Sequence, residues 1–152
     1  MRHLRLVLAL LGLAASLWAA DPFVGTWSLN VAKSKYKTGN PPKQQAITIV
    51  EAGDSLDIAI TGTAADGTPM SARYLIPIAG GKGVVKESPA YDEISTKRID
   101  ANTRENTYLK AGKEVLTVRV SVSRNGKSLS AKLKGTDTRG NAVEGTLAFD
   151  KL

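Results

Sequence analysis

The amino-acid sequence predicts an all-β fold, an antiparallel up-and-down barrel of about 8–10 strands with no long helix. Three observations carry that expectation. From residue 23 onward apolar and polar side chains alternate with a period of two, so successive side chains fall on opposite faces of a strand. Turn residues recur about every eight to twelve positions, the rhythm of short strands joined by hairpins. No segment past residue 20 supports a long helix.

The runs between turns give strands at 23–29, 44–51, 55–62, 68–76, 83–87, 92–99, 103–110, 113–123, 127–137 and 142–150. The clearest put Leu56, Ile58 and Ile60 on one face, then Leu116, Val118, Val120 and Val122, then Leu129, Ala131 and Leu133. Asn125-Gly126 is the sharpest turn signal, because both residues tolerate the positive φ of a type I′ hairpin. Asn30 to Lys43 is too long for a hairpin and holds either a short helical turn before Pro41-Pro42 or a plain surface loop. Consecutive hairpins without crossover helices make a meander, and closing it into a barrel removes the exposed edges of a flat sheet.

The first residues have a different character. Met1-Arg2-His3-Leu4-Arg5 is a basic start, and the uncharged stretch from Leu6 to Ala20 is 15 residues long before Asp21-Pro22. That is a secretory signal layout, too short for a membrane span, which needs about 20 apolar residues. The expected division is a signal peptide at 1–20 and one barrel domain at 21–152, with cleavage after Ala20 or Ala19 and a periplasmic or secreted product. No Cys follows the apolar run to carry a lipid anchor.

Without Arg2 and Arg5, 19 Lys+Arg face 14 Asp+Glu. These charges are interspersed rather than gathered into a basic stripe, so they read as solvated faces and no nucleic-acid partner is expected. Long-range attraction to anionic surfaces is still open to such a chain. The chain has no Cys, and its single His lies at position 3. Cys/His zinc sites, Ser-His and Cys-His nucleophile pairs, redox thiols and disulfides therefore all lack their central residue in the mature domain. No cofactor or metal is expected: Asp54, Asp57 and Asp66 form no evident oxygen cage. Asp92 and Glu93 fall on opposite faces of a strand, and Glu105 and Glu114 lie on separate strands, so no catalytic carboxylate pair emerges and the chain is expected not to be an enzyme.

Phe23-Val24-Gly25-Thr26-Trp27-Ser28-Leu29 resembles the Gly-x-Trp opening of the calycin superfamily, the lipocalins and fatty-acid-binding proteins. Leu147-Ala148-Phe149-Asp150-Lys151 is similar to the aromatic-acidic-lysine close of the fatty-acid-binding proteins, and the whole chain resembles small exported lipocalin-like proteins of bacteria. The resemblance implies that Gly25 bends the first strand at the barrel end and that Trp27 plugs the barrel base. Two departures limit it. The last strand, Ala142 to Asp150, has neither the Arg that lipocalins stack on the opening Trp nor the Arg-x-Tyr that grips a fatty-acid carboxylate, and no long helical lid is available.

A barrel of this size either fills with side chains or holds one small ligand. Arg73 and Tyr74 on the fourth strand, Arg98 on the sixth, Tyr108 on the seventh and Arg119 on the eighth are the candidate interior anchors. Arg119 shares its face with Thr117, Ser121 and Ser123, and that face either lines a polar cavity or meets water. Tyr36 and Tyr91, in loops, are candidates to line an opening. Two uses follow from the resemblance. The first is an exported barrel binding a small hydrophobic or anionic amphipathic ligand. The second is an interaction module for an envelope or extracellular protein, such as a barrel-type protease inhibitor that inserts Asp21-Pro22-Phe23 into its target.

Overall fold

The structure is a computed structural model that describes residues 20–137 and 140–152. The segment expected to act as signal peptide lies outside the described residues up to position 19. The strands are β1 (Gly25–Leu29), β2 (Lys35–Thr38), β3 (Gln44–Ala52), β4 (Ser55–Thr63), β5 (Pro69–Pro77), β6 (Gly81–Lys82), β7 (Val84–Glu87), β8 (Glu93–Asp100), β9 (Thr103–Lys110), β10 (Lys113–Val122), β11 (Ser128–Thr136) and β12 (Ala142–Lys151). The ten strands expected from the alternation all form, with ends moved by no more than two residues. β2 and β6 are the two additions, and both are short.

All pairings are antiparallel, in the order β6-β8-β9-β10-β11-β12-β1-β3-β4-β5-β7. The first and last full strands meet, with Trp27 opposite Lys151 and Leu29 opposite Phe149, and this closes the sheet on one side. On the other side β7 pairs only with β5, and β8 is met only by two residues of β6 and by the Gly83 amide donating to the Ile94 carbonyl at 2.8 Å. The result is a nearly closed barrel, compatible with a calycin-like fold, with one weak seam between β7 and β8.

The Asn30–Lys43 connection holds the short helical turn and, where a plain loop is the alternative, a short strand. Val31–Lys33 make a single 3₁₀ turn, capped by the Asn30 side chain accepting from the Lys33 amide, and β2 follows before the prolines. β1 and β2 both pair with β12, so they are one strand interrupted by this turn. The Asn30 amide donates to the Ala148 carbonyl at 2.7 Å and the Ala148 amide to Ser34 Oγ at 3.0 Å, so the interruption leaves the β12 backbone satisfied.

Inside the barrel the alternation does what burial requires. Leu129, Ala131 and Leu133 are buried while Ser130 and Lys132 are exposed, and Leu56 and Ile58 pack against Ile76 and Tyr74 of the neighbouring strand. Trp27, Phe149, Leu56, Ile76 and Ile94 are almost completely excluded from water. These side chains belong to one core cluster, and removing one aromatic from such a core costs about 3–5 kcal/mol. Among the described residues no helix is long and apolar enough to cross a membrane.

Candidate functional site

The interior is not uniformly apolar. β9 reads Thr-Arg-Glu-Asn-Thr-Tyr-Leu-Lys, and its buried positions are Arg104, Asn106 and Tyr108. Across the ladder, Thr96 on β8 faces Asn106 and Ile94 faces Tyr108. One wall of the barrel, next to the weak seam, is therefore polar.

At the barrel base this wall ends in a fixed cation. The Arg104 side chain, 2% exposed, donates from Nη2 to the Ile78 carbonyl at 2.6 Å and from Nη1 to the Pro77 carbonyl at 3.3 Å. Its guanidinium lies 5.6 Å from the centre of the Phe23 ring, and Nη2 is 3.7 Å from the Asp21 carboxylate, itself only 6% exposed. Burial lowers the Arg104 pKa and the Asp21 charge opposes that shift, so the carboxylate is what keeps a cation tolerable there. Trp27 lies beside this group, with its Nε1 donating to the Phe23 carbonyl at 2.9 Å.

Higher in the barrel three tyrosines meet. Tyr74 and Tyr108 share a hydrogen bond between hydroxyls 2.9 Å apart, and the Tyr91 ring centre lies 4.6 Å from that of Tyr108 and 6.1 Å from that of Tyr74. Burial raises all three phenol pKa values, because none of the rings has water to stabilise a phenolate. An Asn106 hydrogen bond to Tyr108 works in the opposite direction and links the tyrosines to the polar wall.

Four buried polar atoms along the interior have no hydrogen-bond partner: Thr96 Oγ1, Asn106 Oδ1, Arg104 Nε and Gln45 Oε1. Leaving such a group unsatisfied costs about 1–3 kcal/mol, and three of the four residues, Thr96, Asn106 and Arg104, lie on the neighbouring strands β8 and β9.

The residues singled out in the sequence divide sharply. Tyr74 and Tyr108 come together inside. Arg73 and Arg119 do not reach the interior: Arg73 forms a two-point pair with Asp57, the shorter arm 2.7 Å, and Arg119 pairs with Glu105 at 2.9 Å. Each salts its strand's outer face, because its neighbours in the chain take the inward positions. Arg98 lies opposite Arg104 but is exposed at the end of β8, where the register shifts before Asp100. Gly25 (φ 141°) opens β1, and the fully buried Trp27 carries the Lys151 ammonium 5.3 Å above its ring. Tyr91 is buried in the tyrosine cluster rather than set at an opening. Tyr36 is half-buried on β2, and burial pushes its phenol up to about 12. The Asp21-Pro22-Phe23 segment is folded into the base, with Phe23 only 3% exposed, so it is not a free arm.

The alternation of β9 was the signal for Arg104 and Asn106, since both share the parity of Tyr108. A strand with no apolar face conceals it. Two cavities, of 280 and 510 Å³, open over β2 and β9–β12; Lys35 and Lys132 line the first, and Arg119 and Lys132 line the second together with Leu116 and the buried Leu133. Neither is lined by Tyr74, Arg104 or Asn106. Among the described residues no three acidic or imidazole side chains gather as a metal site would need. No family model, curated protein or solved structure matches the chain.

Proposed function

We propose that the protein is an exported, non-catalytic, lipocalin-like barrel that binds one small amphipathic molecule, whose polar end is taken by the Thr96–Asn106 wall. The observation that carries this reading is the set of unpartnered polar atoms inside an otherwise apolar barrel. An apolar pair at those positions would stabilise the empty barrel, so the polar pair has a use that stability does not explain. The guest enters at the seam between β7 and β8, where only β6, with Gly81 opposite Thr96, and one further hydrogen bond hold the sheet together. The large side chains of the core leave space for a small guest only: the wall takes its hydrogen-bonding end and the tyrosine rings take its apolar part.

Native mass spectrometry of protein recovered from an exporting host, with titration by short-chain alcohols and amides followed in the tyrosine near-ultraviolet circular dichroism, tests this. The wild type is expected to carry or take up an adduct. Asn106→Leu is expected to lose it while melting at a higher temperature. A wild type that takes up no adduct, together with an Asn106→Leu variant that is less stable, sinks the reading.

A further inference from the structure

The first described residues are unequal in a way that bears on where the mature chain starts. Ala20 is exposed. Asp21 is held on every side: its amide donates to Glu51 Oε1 at 3.0 Å, its Oδ1 accepts from the Phe23 amide at 3.0 Å, its carbonyl accepts from the Val24 amide at 3.0 Å, and its Oδ2 faces Arg104. Asp21 is thus the first described residue that the barrel holds, and the group pointing at the Glu51 carboxylate is the nitrogen of the Ala20–Asp21 peptide bond.

We propose that this bond is the processing site and that the new amino terminus is a structural lock. Water, delivered by an export peptidase, adds its hydroxyl to the Ala20 carbonyl carbon, and the bond to the Asp21 nitrogen breaks. That nitrogen takes up protons and becomes an ammonium. It then lies 3.0 Å from the Glu51 carboxylate, turning a neutral donor into a charge-assisted one. The same residue presents its carboxylate to Arg104, so one residue ties β3 and β9 to the barrel base. Cutting after Ala19 instead would place the ammonium about 3.8 Å further along the chain, out of reach of this geometry.

The inference rests on the export reading above, and its test separates the two. The full sequence is expressed in an exporting bacterial host, and the recovered protein is examined by intact mass and amino-terminal sequencing. A chain beginning at Asp21 is the expected result. A chain beginning at Ala20 or elsewhere in the domain overturns the processing site, whereas an uncut chain overturns export itself. Melting temperatures are then compared for the chain beginning at Asp21, a chain retaining Ala20, and the Glu51→Gln variant of each. Retaining Ala20 is expected to lower the melting temperature by about 2 °C, as is Glu51→Gln in the chain beginning at Asp21, with no further loss when both changes are present. Equal melting temperatures in all four proteins overturn the lock.

Discussion

Arg104→Met keeps most of the length of the side chain and removes its charge, so the barrel wall stays filled while every polar contact of the guanidinium disappears. What is left behind sets the magnitude. The Asp21 carboxylate, 6% exposed, loses its cation, and the Pro77 and Ile78 carbonyls lose their donors. Breaking a buried ion pair from one side costs about 3–5 kcal/mol, and loss of the guanidinium over Phe23 adds about 0.5–1 kcal/mol. Against this, the desolvation of Arg104 and its unpartnered Nε vanish with the side chain. A net loss of about 3 kcal/mol is expected, a fall in melting temperature of about 10 °C for a domain of this length. Asp21→Asn alone strands the cation instead and is expected to lose about 2 kcal/mol. The double variant removes both charges and should be more stable than the sum of the singles by at least about 1 kcal/mol. Urea unfolding and thermal melts followed by far-ultraviolet circular dichroism and Trp27 fluorescence measure all four proteins. An Arg104→Met variant melting within about 2 °C of wild type, or strictly additive singles, refutes the account of the base as a buried, mutually dependent pair.

Further outcomes follow from other groups. The Arg73 guanidinium holds the Asp57 carboxyl below its ordinary value of 3.8, so this pair contributes stability above the unfolded-state value that is lost as pH falls through the lower folded-state value. Since Arg73 is 58% exposed, solvent screens the pair, and Asp57→Asn should flatten the acid limb of the stability profile only slightly. Tyr74, Tyr91 and Tyr108 are raised by burial; their stabilisation is complete below the unfolded value of 10.0 and declines as pH rises above it, because only the unfolded chain then releases the protons. Alkaline unfolding should therefore release one proton fewer in Tyr74→Phe, and an unchanged proton count counts against a buried neutral cluster. Gly25→Ala would strain a φ of 141° and set a methyl 2.6 Å from Lys151 Cε; a loss of about 1–3 kcal/mol and a changed Trp27 emission are expected, and a neutral result would mean that β1 does not need glycine to start.

The strands were legible because the signal that forms them is the one a reader can count. Leu129-Ser130-Ala131-Lys132-Leu133 states its own facing, and the Asn125-Gly126 turn marks where its strand begins. β2 was not legible, because Lys35-Tyr36-Lys37-Thr38 has one half-buried side chain and exists as a strand only through its pairing with β12. The same limit governed the site. Tyr74 and Tyr108 were found because an aromatic on a strand is presumed to face inward. Arg73 and Arg119 are also candidates, yet the parity that buries Tyr74 and Val118 turns them outward, where they pair with Asp57 and Glu105. Arg104 went unnoticed for the converse reason: its acceptors are the carbonyls of Pro77 and Ile78, far away in the chain, and backbone acceptors leave no trace in the sequence.

β12 is the neighbour of β11, β1 and β2 at once, and the Asn30 side chain reaches Asp150 across 120 residues of chain. Until β12 is in place, β1 has one partner and β2 has none, so closure of the barrel rests on a single strand that satisfies three others at once.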